Sequence, residues 1–550
     1  MSRTTPKRSI VAAALGALAL GCAGTSIAPV TTEAGFATGV VFHDRNGNGV
    51  RDRFDFGIRG VALSNGREVV RSDAKGRYRM PVGDDFTLFV VKPSGWAVPT
   101  DANNLPRFYY SHKPAGSPAD SRFPGVSPTG PRPASIDFPL TRRREPSAFD
   151  VVLFGDTQPY RTSEVDTLSH DIVEELIGVD AAFGITLGDV VGDDLSLFEP
   201  LNRAVGLIGI PWYNVPGNHD LNFDANGDAN SDETFEQIYG PGTYAFEYGQ
   251  AHFIVLDDVV YGGFVETGDT TQNYAGGLSE DQIAFVRNYL ADVPRDHLVV
   301  VTMHIPLSGP GPRLEVPQRR ELFAALASHP YSFSIASHMH TQSHEFFGPE
   351  DGHHGAKPHH HLIQGTTSGS WWLGTPDETG IPHATMRDGT PNGYSILHID
   401  RNAYSLRYKV ARRPGDYQMN IFAPDAVDAE AATRTEVLVN VFSGSDRSRV
   451  EMRLGAAGAW IPLTRVDRPD PYFLELKRRE AESADRPARP LPPADPSRHL
   501  WRGTLPADPA TGTALLEVRT VDMFGASYRG RRILRIERSE PRSREAGPRE

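Results

Sequence analysis

The chain has a single cysteine, Cys22, among 550 residues. Disulfides and thiolate metal sites within the chain are therefore excluded. It also lacks an excess of positive charge: 56 Lys and Arg stand against 69 Asp and Glu, a net charge of −13. Phosphate backbones need clustered Lys and Arg, so no nucleic-acid partner is expected. Nor does the apolar run near the start, Ile10 to Leu20, reach the about 20 residues needed to cross a bilayer. With 53 Gly and 44 Pro, the chain favours turns and short strands over a helical bundle. What it does have is core material. Hydrophobic residues make up 39% and charged residues 23%, which rules out a wholly disordered chain.

The first 22 residues read as an address. Arg3, Lys7 and Arg8 precede the apolar run, which ends at Gly21 and Cys22. This resembles a bacterial lipoprotein signal, with Ala19 where that class usually has Leu. The resemblance implies export to the periplasm, outer membrane or cell surface of a bacterium, with membrane contact through a lipid on Cys22. The alternative is a secreted chain cleaved near Ala28, with Cys22 discarded.

Residues 36–140 alternate in apolar character at Gly39–Phe42, Val61–Leu63, Tyr78–Met80 and Thr87–Val91, a β-rich unit. Residues 112–134 are rich in Pro, Ser and Gly and read as a surface loop or linker. From residue 148 strands alternate with helices. Strands are expected at Phe149–Phe154, Ala181–Leu187, Pro211–Val215, His252–Leu256, Leu298–Met303 and Ser332–Ala336. Helices are expected at Ser163–Leu176, Leu195–Ile208 and Pro317–Ala327, with another opened by Ser279 and capped with Gln282. Beyond residue 415 strands return, at Thr435–Phe442, Tyr472–Leu476, Ala514–Thr520 and Arg531–Ile536, with a charged, proline-rich loop at 478–498. Residues 538–550 have no apolar period and read as a disordered tail.

Five motifs follow predicted strands in order: Gly155-Asp156-Thr157-Gln158; Gly188-Asp189 running on to Gly192-Asp193; Gly217-Asn218-His219-Asp220; His304; and Ser337-His338-Met339-His340. Ligand-type side chains at successive strand ends converge on one edge of an α/β sheet. Carboxylates, an amide oxygen and imidazoles without thiolate suit transition-metal ions. The series resembles the calcineurin-like metallophosphoesterases, with their ordered D-x-H, G-D-x-x, G-N-H-[DE], H and G-H-x-H motifs, and most of all their secreted bacterial members.

That resemblance implies a four-layer α/β sandwich catalytic domain over 148–412, flanked by an N-terminal β-sandwich at 36–140 and a C-terminal β-rich domain at 415–537. It also implies two divalent or trivalent transition-metal ions (Mn, Fe or Zn). Asp156, Gln158 and His340 would hold the first, Asn218, His304 and His338 the second, with Asp189 bridging. A metal-bridging hydroxide would attack a phosphate mono- or diester. His219 would protonate the leaving oxygen, Asp220 would orient an imidazole, and Asp193 would support the ligands from behind. Two positions depart from the pattern. Gln158 replaces His, a weaker ligand, and Ser337 replaces Gly. A metal-free, surface-binding relative with a vestigial phosphoesterase module is the alternative.

Other signals are less specific. Asp44, Asn46, Asn48, Asp52 and Asp55 occupy positions 1, 3, 5, 9 and 12 of a loop with Gly49 at position 6, which is calcium-loop spacing, or else a plain Asx/Gly turn. Asp224 to Glu233 reads as a solvated loop near the third motif that could gate substrate. His353, His354, His359, His360 and His361 read as a solvated His-rich loop. Of adjacent Trp371 and Trp372, one is expected to pack inward and the other to wall the substrate cleft.

Mass spectrometry of the mature protein is expected to find an N-terminal peptide that starts at a lipid-modified Cys22. An unmodified start downstream of Cys22 would end the lipoprotein reading.

Overall fold

The computed structural model describes residues 35–266, 269–484 and 489–538. The segment read as a signal, with Cys22, and nearly all of the 538–550 tail lie outside the described residues.

Two sheets face each other at the centre. In one, Trp212–Val215, Phe183–Leu187 and Ala148–Phe154 run parallel, and Gly393–Asp400 and Ala403–Val410 extend the sheet antiparallel. In the other, Ala251–Val255, Leu298–Thr302, Ser332–Ala336 and His359–Ile363 run parallel. Tyr244–Tyr248 and Ser343–Phe347 close its two edges antiparallel. The strands at the sheet centres are almost continuously apolar because both of their faces are covered. Aromatic rings fill the gap between the sheets: Phe183 meets Phe246 and Phe253 edge to face, and Tyr213 stacks on Phe246.

Helices cover the outer faces and complete four layers. Phe198, Leu201 and Ile172 pack on Val152 and Phe154 of the first sheet. On the second sheet lies the helix Glu280–Leu290, opened by Ser279 with the expected reciprocal cap to Gln282. The helix Thr162–Leu176 carries a π-turn at Ser169–Val173 that turns Asp171 inward.

Flanking the sandwich are two β-regions. Before it lie two four-stranded sheets, one ordered Arg77–Pro81, Phe36–His43, Phe138–Arg142 and Trp96–Ala97, the other Val69–Arg71, Ala62–Ser64, Phe86–Val90 and Tyr109–His112. Lys92, buried, joins this region to the central sheets by pairing with Glu145 and donating to Glu247 O at 2.6 Å. Residues 113–137 form no strand or helix, yet they are anchored. Lys113 Nζ reaches Glu233 Oε2 at 2.6 Å, and Phe123 O accepts from Asn222. After the sandwich come a four-stranded and a five-stranded sheet.

Three expectations change, and two strands were not expected. Tyr472–Leu476 is not a strand but part of the helix Pro471–Glu482: Asp470 caps it by accepting from Phe473 N at 2.8 Å, and Pro471 fits its first turn. His359, His360 and His361 are not solvated. They lie in the buried strand His359–Ile363. The loop 224–233 packs beneath residues 113–125, with Arg122 N donating to Asp224, and lines no part of the cleft described below. The antiparallel strands Gly393–Asp400 and Ala403–Val410 escape a reading focused on motif-bearing parallel strands.

His361 is held neutral. Its Nε2 accepts from Leu307 N at 3.2 Å while its Nδ1 faces Ser334 Oγ at 2.7 Å, and burial lowers its pKa to about 3. The unfolded chain therefore binds more protons between about pH 6.5 and 3, and this histidine's contribution is complete above that window and lost as pH falls through it. His361→Gln is expected to cost roughly 2 kcal/mol less at pH 5 than at pH 7 in urea unfolding. An equal cost at both pH values would contradict a buried neutral imidazole.

Candidate metal centre

All five motifs sit on loops at the C-terminal ends of parallel strands, at one edge where the two sheets open. Several of their residues hold left-handed backbone: Gln158 (φ 39), Asp189 (φ 47), Asp193 (φ 68), His338 (φ 68) and His340 (φ 51). Gly188 precedes Asp189 at φ +88, and a Cβ there would lie 2.3 Å from His304 Nδ1, so only glycine allows the imidazole this close.

Three imidazoles are fixed the same way. His304 Nδ1 donates to Leu187 O at 2.8 Å, His338 Nε2 to Arg313 O at 3.0 Å, and His340 Nδ1 to Gly369 O. Each ring's other nitrogen then turns inward with a lone pair. His304 Nε2 lies 3.0 Å from Asn218 Oδ1, 3.1 Å from His338 Nδ1 and 3.2 Å from Asp189 Oδ1. His340 Nε2 lies 3.2 Å from Asp156 Oδ2, which accepts no hydrogen bond despite being buried. Gln158 Nε2 faces Asp189 Oδ2 at 3.3 Å, and its buried Oε1 has no partner.

Donor atoms packed this closely repel unless a proton or a metal cation sits among them, so this donor set fits a hard or borderline metal. Asp189, His304 and His338 bring ligand atoms within 4.8 Å of one another, and among the described residues no other set of three His, Cys, Asp or Glu does so. The electrostatics agree. Burial opposes charge on His304, but Asp189 and Asp156 outweigh it and raise its pKa to about 10; burial and the neighbouring His304 lower His338 to about 3. The carboxylates call for positive charge at the centre.

His219 lies beside this cluster. Its backbone N donates to Asp189 Oδ1 at 2.9 Å, and its Nδ1 meets Asp193 Oδ1 at 2.6 Å. Burial lowers its pKa, but Asp189 and Asp193 prevail and raise it to about 9. Here the roles expected of two acids change. Asp193 orients the imidazole. Asp220 touches no imidazole: its buried carboxylate accepts from Val190 N and Val191 N at 3.0 Å and Gly217 N at 2.9 Å, tying the second and third motifs together. Asp258, which carries no motif, does the same at the fourth, accepting from His304 N at 3.1 Å and Ile305 N at 3.0 Å. Ser337, in place of glycine, donates its hydroxyl to Gln364 O at 3.0 Å.

Trp371 stacks on His340 at 3.9 Å and lines the cleft; Trp372 is buried and donates Nε1 to Thr157 O at 2.9 Å. The split arises from left-handed backbone at both residues (φ 52 and 56), not from an extended segment. Asn392 bridges this loop to the π-turn, donating to Thr367 O at 3.0 Å and Asp171 Oδ2 at 2.7 Å. The cleft, of about 670 Å³, is also lined by Tyr274 and Arg313 and, from the C-terminal region, by Asp467, Asp495 and Arg498. Sequence patterns gave no signal for Tyr160, Asp258 or Tyr274.

In the Asp44–Asp55 loop the side chains bind the loop's own backbone. Asp44 accepts from Gly47, Asn48 and Gly49, Asn48 from Val50, and Asp55 from Arg45 and Asp52; Asn46 Nδ2 donates to Asp52 at 3.0 Å. These are the local side-chain-to-backbone bonds of Asx turns.

The four-layer sandwich thus gathers a carboxylate, amide and imidazole cluster at its strand ends. A family model for calcineurin-like phosphoesterase matches residues 149–342, one for the N terminal of calcineurin-like phosphoesterase matches 45–126, and one for the C terminal of calcineurin-like phosphoesterase matches 361–528. The chain belongs to the calcineurin-like phosphoesterases, with both flanking regions of that family. Among curated proteins, none matches the chain in sequence. Solved structures similar to it include purple acid phosphatase PPD1 from yellow lupin (Lupinus luteus) seeds, at 14% identity over 64% of this chain and 67% of that one, with a TM-score of 0.36. Superoxide reductase (neelaredoxin) from Ignicoccus hospitalis is similar at 16% identity over 22% and 81%, with a TM-score of 0.14. At these scores the assignment rests on the family models.

The two acids are separable by substitution. Asp193→Asn is expected to lower turnover while leaving the melting temperature nearly unchanged. Asp220→Ala, which orphans three buried N–H groups, is expected to cost stability at about 1–3 kcal/mol per unsatisfied group. The reverse pattern would return the orienting role to Asp220.

Proposed function

We propose that the chain hydrolyses a phosphate mono- or diester with two transition-metal ions (Mn, Fe or Zn), outside the cytoplasm. The residues at the strand ends support a division of ligands. Asp156, Gln158 and His340 would hold one ion, Asn218, His304 and His338 the other, and Asp189 lies between the two groups. The ions, when bound, supply Lewis acidity to the phosphoryl oxygens and lower the pKa of the attacking water.

The chain's own groups do the rest. Carbonyl hydrogen bonds at Leu187, Arg313 and Gly369 keep the three imidazoles in the tautomer that offers a lone pair to the centre. His219, held at Nδ1 by Asp193, can deliver a proton from Nε2 to the departing oxygen. Positioned proton transfer of this kind contributes roughly 10²–10⁴-fold. Trp371 and Tyr274 wall the cleft beside the ligands. Export is supported by the basic, apolar and Gly21-Cys22 start.

One observation carries this reading: Asp189 Oδ1, Asn218 Oδ1 and His338 Nδ1 all lie within 3.2 Å of His304 Nε2. Asp189→Asn and His304→Ala are each expected to abolish hydrolysis of p-nitrophenyl phosphate and bis-p-nitrophenyl phosphate, assayed with Mn²⁺, Fe²⁺ and Zn²⁺ added separately. Undiminished turnover in either variant would refute the proposal.

A further inference from the structure

Gln158 stands where the motif's histidine would be, and its surroundings are one-sided. The residue is fully buried, and its backbone N donates to Asp189 O at 3.0 Å. Its amide nitrogen has two oxygen neighbours, Asp189 Oδ2 at 3.3 Å and Tyr160 Oη at 3.2 Å. Its amide oxygen has none. A buried carbonyl without a donor costs about 1–3 kcal/mol, so an orphan at this place calls for an explanation.

A half-turn about the last side-chain bond exchanges the amide's two nearly isosteric ends. The oxygen would then face Asp189 Oδ2 and Tyr160 Oη. Two oxygens facing each other at Asp189 are tolerable only with a cation beside them. The contact to Tyr160 survives the exchange, because a phenol can accept from the amide nitrogen or donate to the amide oxygen. A phenylalanine could do neither. The fold makes room for this phenol: a Cβ on Gly192 would lie 2.7 Å from the Tyr160 ring. The opposite side of the centre, Asn218, His304 and His338, has no hydrogen bond to Tyr160 among those described.

We propose that Tyr160 is a positioning residue that holds the Gln158 carbonyl, by donating to it, toward the ion held by Asp156, Asp189 and His340, and so raises the affinity of that ion alone. This rests on the metal reading of the site. Tyr160 stands in for what an imidazole at position 158 would supply by itself: a fixed lone pair.

The test is equilibrium dialysis of the metal-free full chain against Mn²⁺ alone, with bound metal counted by elemental analysis. Wild type is expected to take up two ions in separable steps. Tyr160→Phe should weaken the looser step by about tenfold or more, the usual effect of losing a group that orients a ligand, and leave the tighter step unchanged. Gly192→Ala, which displaces the ring, should act in the same direction. Gln158→His should tighten the looser step and abolish its sensitivity to Tyr160→Phe. Equal affinities in wild type and Tyr160→Phe would overturn the proposal. So would an equal loss from Tyr160→Phe in the Gln158→His background, since the effect would then be packing. If wild type binds no ion at all, the metal reading itself fails, and this proposal fails with it.

Discussion

Every imidazole at the centre of this protein is aimed by a carbonyl. Leu187 ends a strand of one sheet, Arg313 lies in the loop after the fourth motif, and Gly369 lies in the Trp371 loop. Each takes one ring nitrogen out of the interior and turns the opposite nitrogen toward the centre. The same hydrogen bonds therefore decide both geometry and charge. They gather lone pairs at short range, which is unfavourable without a cation and favourable with one. Because the three carbonyls belong to different parts of the chain, the donor set exists only when the sandwich is closed.

Holding those loops in place has a conformational cost. Gln158, Asp189, His338 and His340 all adopt left-handed backbone, each at about 1–2 kcal/mol. Two buried carboxylates offset part of it. Asp220 gathers three amides from the second and third motifs, and Asp258 gathers the amides at the fourth. Burial pushes both acids up to about 7, against the pull of these backbone N–H groups. The π-turn adds a third support, since Asp171 holds Asn392, and Asn392 holds the loop that lays Trp371 on His340.

The flanking regions contribute to the same edge. Asp388, beside the cleft, accepts from Gln342 N at 2.7 Å and lies 3.0 Å from His499 Nε2 of the C-terminal region. Gln342 follows His340 by two residues, so the C-terminal sheets are tied to the last of the five motifs as well as lining the cleft with Asp467, Asp495 and Arg498. Part of the cleft wall thus comes from a region that carries none of the five motifs. On the opposite side, the Lys92 and Glu145 pair locks the N-terminal sheets to the strand edges farther from the ligands.

The order and spacing of five short motifs determined which residues could carry chemistry, because metal ligands need particular atoms and parallel strands deliver them at successive strand ends. Capping at Ser279 and the apolar runs of the central strands were likewise local, and so were visible in the chain itself. Contacts between distant segments were not. That His359 to His361 are buried, that Asp193 and not Asp220 orients His219, that Trp371 faces the cleft, and that Tyr160 fills the space above Gly192 all depend on which elements pack together. Residue type fixes what an atom can donate or accept; only the folded chain decides which atom stands opposite it.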